Sequence, residues 1–212
     1  MKIFGFSLGQ LGTNAYLLFK EGEKEAVLID APMDAAEVVP QFLRKHDLKL
    51  AAILLTHGHW DHIWDAAKLK EITGAKIYAA EDGKRLIEEP DFQNKYLPGA
   101  SFEPAKIDEF IKDGQTLKIA KLKIKVLEAP GHCPGSVVFY VKEKDGGYLF
   151  AGDVIFEESV GRTDLWGGSF DVLKKSILDK IYTLPDDTAI FPGHGGATSV
   201  EREKKTNPFV RG

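Results

Sequence analysis

Short apolar runs separated by polar turns predict a chain that alternates between strands and helices. Residues 51–56 are an apolar run bounded by polar residues, which is typical of a strand buried inside a sheet. Residues 34–46 carry apolar side chains at helical spacing, and residues 63–72 are predicted to form a second helix that Gly74 closes. The other strands predicted in the first half are residues 2–7, 13–19, 25–29 and 76–79.

The second half of the chain repeats this organisation. Its predicted strands are residues 122–127, 136–141, 148–151 and 188–191, with a hairpin turn at 144–147 and an amphipathic helix over 170–182. Residues 86–110 are irregular, and both a lid over a pocket and a packed surface loop remain open for them. Strands grouped in hairpins, with helices between the groups, predict mixed sheets covered by helices.

Composition narrows the classes of function. The 212 residues include 28 basic and 32 acidic side chains, and the net charge of −4 argues against non-specific electrostatic binding of nucleic acid. No apolar run approaches the roughly 20 residues of a membrane-spanning helix, and the N-terminus offers no export signal. The lone cysteine, Cys133, cannot form an intrachain disulfide. We therefore expect one domain over residues 1–212, cytoplasmic, that binds a small molecule and neither nucleic acid nor membrane.

The most informative stretch follows the predicted strand 51–56 directly. It places His57, His59, Asp61 and His62 within one turn-sized segment. Side chains two apart in extended chain point the same way, so His57 and His59 can converge on one ion. Asp61 and His62 open the next helix and diverge, which lets them address a second ion. Such crowded imidazoles and carboxylate gain little without a cation, so a metal site is preferred over simple capping.

Three later positions follow the same rule. His132, Asp153 and His194 each come after an apolar strand and a small or Pro-Gly hinge. Strand ends in layered α/β folds are where functional groups gather, so we expect these side chains to join the first cluster. The resulting set exceeds what one tetrahedral ion takes and suits two divalent ions that share a carboxylate.

The motif Thr-His-x-His-x-Asp-His at residues 56–62, with the later His, Asp and His, resembles the signature of the metallo-β-lactamase superfamily. The resemblance covers nearly the whole chain. It implies an α/β (α+β) fold, a four-layer αββα sandwich of two mixed sheets flanked by helices. It also implies a first metal site of His57, His59 and His132, a second of Asp61, His62 and His194, and Asp153 as the bridging carboxylate.

Within the superfamily, residues 159–164 (Ser-Val-Gly-Arg-Thr-Asp) and 206–209 (Thr-Asn-Pro-Phe) resemble the short glyoxalase II-like hydrolases, which are related to hydroxyacylglutathione hydrolase. Longer members carry a C-terminal helical region that contacts glutathione, for which this chain ends too soon. They also have a Tyr two residues beyond the last His, where this chain has Gly196. These departures concern glutathione specificity and leave the metal chemistry unchanged.

The resemblance implies a metal-dependent hydrolase of thioesters of the S-lactoylglutathione type. Two ions roughly 3.5–4 Å apart would provide a bridging hydroxide that attacks the acyl carbonyl, with Asp61 and Asp153 as catalytic residues. Zinc is the first expectation, with iron or manganese as alternatives. After the ligands are assigned, no His or Glu remains beside them as a general acid. A thiolate leaves more readily than an amine, which favours a thioester over an amide.

Several neighbouring residues keep two interpretations. Arg162 either holds a substrate carboxylate or pairs with Asp164. Four aromatic residues either line an apolar cleft or pack in the protein interior: Trp60, Trp64, Phe156 and Trp166. Cys133 is either a small buried filler or a redox-sensitive thiol behind the ligands.

Other functions remain as alternatives. The first is a persulfide dioxygenase of the same superfamily, which uses one Fe(II) held by two His and an Asp. A β-lactamase is less favoured, because nothing supports secretion or a suitable pocket, and relatives that process RNA or DNA usually carry an inserted domain that this length excludes. A metal-stabilised binding module without turnover is the non-enzymatic alternative.

Overall fold

The strands form two mixed sheets in a computed structural model that describes residues 1–93, 102–144 and 146–212. Within those residues the first sheet has six strands in chain order. The first three strands are antiparallel and the last three continue in parallel from the third. They are β1 (Lys2–Leu8), β2 (Thr13–Phe19), β3 (Glu25–Ile29), β4 (Lys49–Leu54), β5 (Lys76–Ala80) and β6 (Glu109–Ile111).

The second sheet is antiparallel except for one parallel pair. Its described strands are β7 (Thr116–Ile119), β8 (Leu122–Glu128), β9 (Val137–Glu143) and β10 (Gly146–Gly152), followed after the small hairpin β11 (Ile155–Phe156) and β12 (Ser159–Val160) by β13 (Ala189–Pro192) and β14 (Thr198–Ser199). The spatial order is β14-β13-β10-β9-β8-β7. β10 and β13 run parallel, so both strands end at the same edge of the sheet.

The helices cover the outer faces of the sheets. None of the described helices is long and apolar enough to cross a bilayer. The helix at Phe170–Ser176 continues into a π-helical turn at Ile177–Ile181, and short 3-10 turns occupy Glu81–Gly83 and Pro90–Phe92. The α-helices are α1 (Ala35–Lys45), α2 (Trp60–Ile63), α3 (Ala66–Thr73), α4 (Lys84–Glu88), α5 (Phe170–Ser176) and α6 (Val200–Thr206).

Alternating side chains build three apolar layers around the two sheets. Between the sheets, Leu18 and Val27 of the first pack with Ile124 and Phe139 of the second. On the outer face of the first sheet, the buried partners include Leu17, Leu28, Val39 of α1 and Leu69 of α3. On the outer face of the second, they include Leu149, Ile190 and Leu173 of α5. Because successive strand residues point to opposite faces, each inner strand feeds two layers. The predicted α/β, four-layer αββα arrangement is confirmed.

The predicted helix over residues 63–72 is wrong in its extent. The structure has α2 and α3 instead, interrupted at Asp65. The Asp65 amide donates to the Ala31 carbonyl at 2.9 Å, and its carboxylate accepts from the Ala36 amide at 2.8 Å. These tertiary bonds replace helical ones, which spacing along the sequence cannot reveal.

The irregular segment 86–110 is partly described. It begins within α4, and Phe102, Ala105 and Ile107 are buried against the first sheet and its helices. That part is a packed surface segment. Tyr96, Leu97 and Pro98, which belonged to the same prediction, lie outside the described residues, as does Asp145 of the predicted hairpin turn. The short strands β6 and β7 carried too few alternating residues to be predicted.

A buried polar network attaches the C-terminal segment to the second sheet. The Glu203 carboxylate accepts from Thr198 Oγ1 at 2.6 Å, from Asn207 Nδ2 at 2.8 Å and from the Glu158 amide at 3.0 Å. Asn207 Nδ2 also donates to the Ser159 carbonyl at 3.0 Å, and its Oδ1 accepts from two amides of the last residues. Glu203 and Asn207 are fully buried, so these bonds position the β11–β12 hairpin.

Replacing Asn207 by Ala should destabilise the fold by about 2–4 kcal/mol, because buried donors and acceptors lose their partners. For a chain of this size we expect the unfolding midpoint to fall by roughly 5–15 °C in a calorimetric or circular-dichroism melt. Thr206→Ala, one residue away and exposed, is the control and should change the midpoint little. Equal midpoints for Asn207→Ala and the parent protein would contradict the role of this network.

Candidate metal centre

The predicted ligand side chains meet at one edge of the two sheets. His57 and His59 lie on the loop after β4, and Asp61 and His62 lie in α2. The remaining three follow strands of the second sheet: His132 after β8, Asp153 after β10 and His194 after β13. Each of these seven side chains thus comes from a segment that directly follows a strand, as the sequence predicted.

Two glycines make this convergence sterically possible. Gly152 adopts φ +47, and a Cβ there would lie 2.5 Å from Thr56 Oγ1. A Cβ at Gly193 would lie 2.2 Å from Asp153 Oδ1 and 2.6 Å from His62 Cε1. Contacts this short do not occur in folded proteins, so Gly152 is required by the close approach of Thr56, and Gly193 by the close approach of Asp153 and His62.

The first group comprises His57, His59 and His132. The ring centroids lie 4.9 Å apart for His57 and His59, 4.8 Å for His57 and His132, and 4.5 Å for His59 and His132. The closest approach joins His59 Nδ1 to His132 Nε2 at 2.8 Å. Ring nitrogens from all three residues lie within 4.8 Å of one another, which is the separation of donors around a single ion.

The second group comprises Asp61, His62 and His194. Asp61 Oδ2 lies 3.5 Å from His62 Nε2 and 3.2 Å from His194 Nε2. Thr13 donates its hydroxyl to the same carboxylate oxygen at 3.0 Å. One carboxylate and two imidazoles therefore face a common point next to the first group.

Asp153 lies between the two groups. Its Oδ1 is 3.2 Å from His62 Nε2, and its Oδ2 is 3.5 Å from His194 Nε2. The same Oδ2 is 3.7 Å from His132 Nε2 of the first group. One carboxylate that faces donors of both groups has the position that a bridging ligand requires.

The donor set fits a divalent cation. His57 Nε2, His62 Nε2 and Asp153 Oδ1 are buried without a hydrogen-bond partner among the described residues. His62 Nε2 and Asp153 Oδ1 lie 3.2 Å apart, yet they are not aligned for a hydrogen bond. Each buried polar atom left without a partner costs about 1–3 kcal/mol, and coordination to an ion in the space between them would remove that cost.

The protonation states also suit metal ligands. Burial holds the pKa of His57 well below its usual range, lowers that of His59 to about 3 and lowers that of His132, so these imidazoles are neutral. Burial would raise the pKa of Asp61 and of Asp153, but His62, His194 and their other neighbours together outweigh it, and both pKa values are lowered. Neutral imidazole nitrogens and ionised carboxylates are the forms that coordinate cations.

Asp30 orients ligands from both groups, and sequence reasoning missed it. Its carboxylate accepts from the Thr56 amide, from Thr56 Oγ1 and from His62 Nδ1, each at 2.8 Å. Thr56 Oγ1 is in turn 3.0 Å from His57 Nδ1. With Nδ1 occupied, His62 presents Nε2 to the centre, as metal-binding histidines commonly do. The available signal was its place directly after β3, since the candidate ligands also follow strands.

Backbone and amide contacts hold the remaining ligands. His132 Nδ1 donates to the Arg162 carbonyl at 2.8 Å, and His194 Nδ1 lies 3.3 Å from the Leu11 carbonyl. Gln93 is buried, donates through Nε2 to the Gly58 carbonyl at 2.8 Å and accepts the Trp60 amide at 3.1 Å. These contacts fix the loop between His57 and α2 from behind.

Five of the seven side chains line a pocket of about 390 Å³, namely His59, Asp61, His132, Asp153 and His194. Of the four predicted cleft aromatics, Trp60 and Trp166 line it. Trp64 packs on Phe102 instead, with ring centroids 5.8 Å apart, and the Phe156 ring lies 6.2 Å from the His194 ring. The cleft interpretation therefore holds for Trp60 and Trp166.

Arg162 and Cys133 each match the structural interpretation of their two alternatives: Arg162 pairs with Asp164, and Cys133 is a small buried filler. Arg162 lines the pocket, but its Nε and Nη2 donate to the two Asp164 oxygens at 2.8 and 2.7 Å, so the predicted pair with Asp164 is formed. Cys133 is buried with Sγ 3.4 Å from Ser136 Oγ, and burial raises its pKa to about 12. Its sulfur lies near the first histidine group, and the buried thiol beside Ser136 matches the interpretation as a small filler.

Comparison with known sequences agrees with the resemblance that the motif at residues 56–62 indicates. A family model described as the metallo-beta-lactamase superfamily matches residues 8–194. The chain is 36% identical to the hydroxyacylglutathione hydrolase GloC of Haemophilus influenzae, over 91% of each chain. It is 34% identical to YqgX of Bacillus subtilis, described as a probable metallo-hydrolase, over 100% of this chain and 99% of that protein.

Solved structures are similar over nearly the whole chain. BLEG-1 B3 metallo-beta-lactamase superposes with a TM-score of 0.92 and 36% identity, covering 100% of both chains. TTHA1623 in a di-iron-bound form gives a TM-score of 0.85 and 34% identity over 98% of this chain and 100% of that one. ETHE1 from Myxococcus xanthus gives 0.79 and 28% over 98% and 84%.

Replacing Asp30 by Ala should weaken metal binding about 10–100-fold, because His62 Nδ1 and Thr56 lose their common acceptor. Zinc affinity measured by competition with a chromophoric chelator tests this expectation. Asp47→Ala, an exposed acid remote from the site, is the matched control. Unchanged affinity in folded Asp30→Ala protein would contradict the orienting role.

Metal binding should release protons and strengthen as the pH rises. Burial lowers the pKa of His62 and of His194, but nearby carboxylates outweigh it and raise both pKa values above the usual range. These imidazoles hold a proton that a cation must displace, so affinity falls when the pH drops below their pKa values. Titration calorimetry in buffers of different ionisation enthalpy measures the released protons. Affinity and heat that do not change between about pH 6 and 8 would contradict this assignment.

Proposed function

The chain belongs to the metallo-β-lactamase superfamily, and from that membership we propose that it is a metal-dependent hydrolase that cleaves thioesters of the S-2-hydroxyacylglutathione type, such as S-lactoylglutathione. The observation that carries the proposal is the complete, converging ligand set, with three buried polar atoms that lack a partner among the described residues. The similarity to a hydroxyacylglutathione hydrolase supports the thioester class.

The residues divide into two cation sites with a shared carboxylate. His57, His59 and His132 would hold one cation, Asp61, His62 and His194 the other, and Asp153 both. Divalent ions, with zinc, iron and manganese as candidates, supply Lewis-acid activation of water and of an acyl carbonyl when bound. A relative by structure in a di-iron-bound form supports a paired centre.

The described pocket residues favour a leaving group that needs no proton. The histidines among them, His59, His132 and His194, are all ligand candidates, and neither Glu nor Lys lines the pocket there. Asp61 and Asp153 have lowered pKa values and are therefore ionised, without a proton to donate. A thiolate is stable enough to depart unprotonated near neutral pH, whereas an amine generally is not.

Two other reactions have specific support from the comparisons. Similarity to ETHE1 supports the persulfide dioxygenase that we consider as the alternative, and similarity to a B3 metallo-beta-lactamase supports β-lactam hydrolysis. The second group, Asp61, His62 and His194, would hold the second ion of a paired hydrolytic centre, and the metal content of the protein distinguishes that centre from a single iron. The lack of a proton donor among the described pocket residues disfavours the amide of a β-lactam. We also propose a cytoplasmic location, where Cys133 would remain a thiol.

Zinc-loaded protein should hydrolyse S-lactoylglutathione, and chelation should abolish the activity until metal is restored. His59→Ala and Asp61→Ala should each lower kcat/KM by about 10³-fold, equivalent to about 4 kcal/mol of transition-state stabilisation. His46→Ala, which changes the histidine that stacks on Phe42 away from the centre, is the matched control.

Hydrolysis that survives both substitutions or persists after chelation would refute the metal-dependent mechanism. Oxygen consumption with glutathione persulfide, assayed on iron-loaded protein, tests the dioxygenase, and a chromogenic cephalosporin tests the β-lactamase. Either of these activities in the absence of thioester hydrolysis would replace the proposal.

A further inference from the structure

We propose that the pocket over the ligand cluster is specific for thioesters that carry an apolar, aromatic group beside the reacting thioester. This inference rests on the proposed thioester hydrolysis and specifies its substrate class. It concerns the wall of the pocket above the ligands, which none of the seven ligand side chains forms. The wall consists of Leu11, Trp60, Leu86, Phe92, Leu165 and Trp166.

The one amide side chain among the described pocket residues is unavailable to substrate. Gln93 Nε2 donates to the Gly58 and Leu86 carbonyls at 2.8 Å each, and its Oε1 accepts from the Trp60 amide at 3.1 Å. Because these bonds are internal and Gln93 is buried, the amide supports the wall instead of binding substrate. They also tie the chain beside Phe92 to the loop that carries His57 and His59.

The cations near the wall are already paired with carboxylates. Arg162 is the cationic residue among the described lining residues, and its Nε and Nη2 bind Asp164. Arg85 lies at the edge, with Nε 3.5 Å from Glu89 Oε2. The two carboxylates of a glutathione moiety would therefore meet no unpaired cation in the described part of the pocket. Charged substrate groups therefore gain no new ion pair from the described wall residues, whereas apolar groups gain by leaving water.

Two aromatic rings of the wall are held together by Arg85. The rings of Phe92 and Trp166 meet edge to face at 77°, with centroids 5.0 Å apart. The Arg85 guanidinium carbon lies 4.1 Å from the Phe92 centroid and 5.7 Å from that of Trp166. A cation over two rings fixes their relative positions, so the wall is preorganised for a planar apolar group.

Binding of stable thioethers tests the wall without catalysis. S-benzylglutathione and S-methylglutathione have the same charges and differ by one phenyl ring. In titration calorimetry on zinc-loaded protein we expect the benzyl compound to bind about tenfold tighter or more. The preference should shrink to less than about threefold in Trp166→Ala and be largely kept in Trp166→Phe, which retains a ring.

Phe110→Ala is the matched control. It removes an aromatic ring of comparable exposure from β6, outside this pocket, and should keep the tenfold preference. Zinc content of each variant shows whether the ligand cluster is intact. Equal binding of the two thioethers by the parent protein, or an unchanged preference in zinc-replete Trp166→Ala, would overturn the inference.

Kinetics identify which part of the substrate meets the wall. S-mandeloylglutathione and S-lactoylglutathione share the 2-hydroxyl and the leaving thiol, so a roughly tenfold higher kcat/KM for the mandeloyl ester assigns the wall to the acyl group. For the thiol part, kcat/KM is compared between the lactoyl thioester of benzyl mercaptan and that of glutathione. A roughly tenfold higher value for the benzyl mercaptan ester assigns the wall to the thiol group. No preference in either pair would overturn the inference.

The two proposals fail separately. If none of these thioesters is hydrolysed but S-benzylglutathione binds preferentially and through Trp166, the hydrolase assignment is wrong and the specificity of the wall stands. If S-lactoylglutathione and the aromatic esters are hydrolysed with equal kcat/KM and the two thioethers bind equally, the hydrolase assignment stands and the wall confers no preference for aromatic substrates.

Discussion

The Asp30 carboxylate is the contact on which the arrangement of the ligands depends. Its three hydrogen bonds of 2.8 Å join the end of β3 to Thr56 after β4 and to His62 in α2. Through Thr56 Oγ1 it also reaches His57, so ligands of both groups take their orientation from one buried acid. Asp30 adopts φ 58, a left-handed conformation that is costly for a residue with a side chain. The three bonds compensate for this strain.

The centre concentrates polar groups, three of whose buried atoms have no hydrogen-bond partner among the described residues. Five imidazoles and two carboxylates lie within contact of one another, and most of them are buried. Without cations, His62 holds a proton because Asp153, Asp61 and Asp30 surround it. Two divalent cations would supply a charge of +4 against −2 from Asp61 and Asp153, which leaves the site attractive to an acyl oxygen and a water. The same ligands therefore account for both metal retention and electrophilic chemistry.

Substrate wall and ligand cluster share structural supports. Gln93 bonds to the backbone on either side of His59 and lies next to Phe92, while the Arg162 carbonyl fixes His132 and the Arg162 side chain borders the pocket. The Glu203–Asn207 network holds the Ser159 carbonyl three residues before that carbonyl. The short motifs 159–164 and 206–209 are far apart in sequence, yet the hydrogen bond from Asn207 to Ser159 joins them next to the centre. The matched neighbours in the superfamily share this overall fold at TM-scores up to 0.92.

The sequence by itself determined which candidate ligands cluster and how the layers are built. His57, His59, Asp61 and His62 are adjacent in the chain, and the glycines before His132, Asp153 and His194 mark strand ends, so local spacing was enough to predict the cluster. Apolar alternation likewise predicted most strands. Only the tertiary structure decided that Asp30 orients the candidate ligands and that Phe92 packs on Trp166 under Arg85. The physical reason is the distance along the chain. The candidate ligands can be recognised from motifs of a few residues. The Asp30–His62 contact joins residues 32 apart and the Phe92–Trp166 contact joins residues 74 apart, and these segments meet only when the sheets pack.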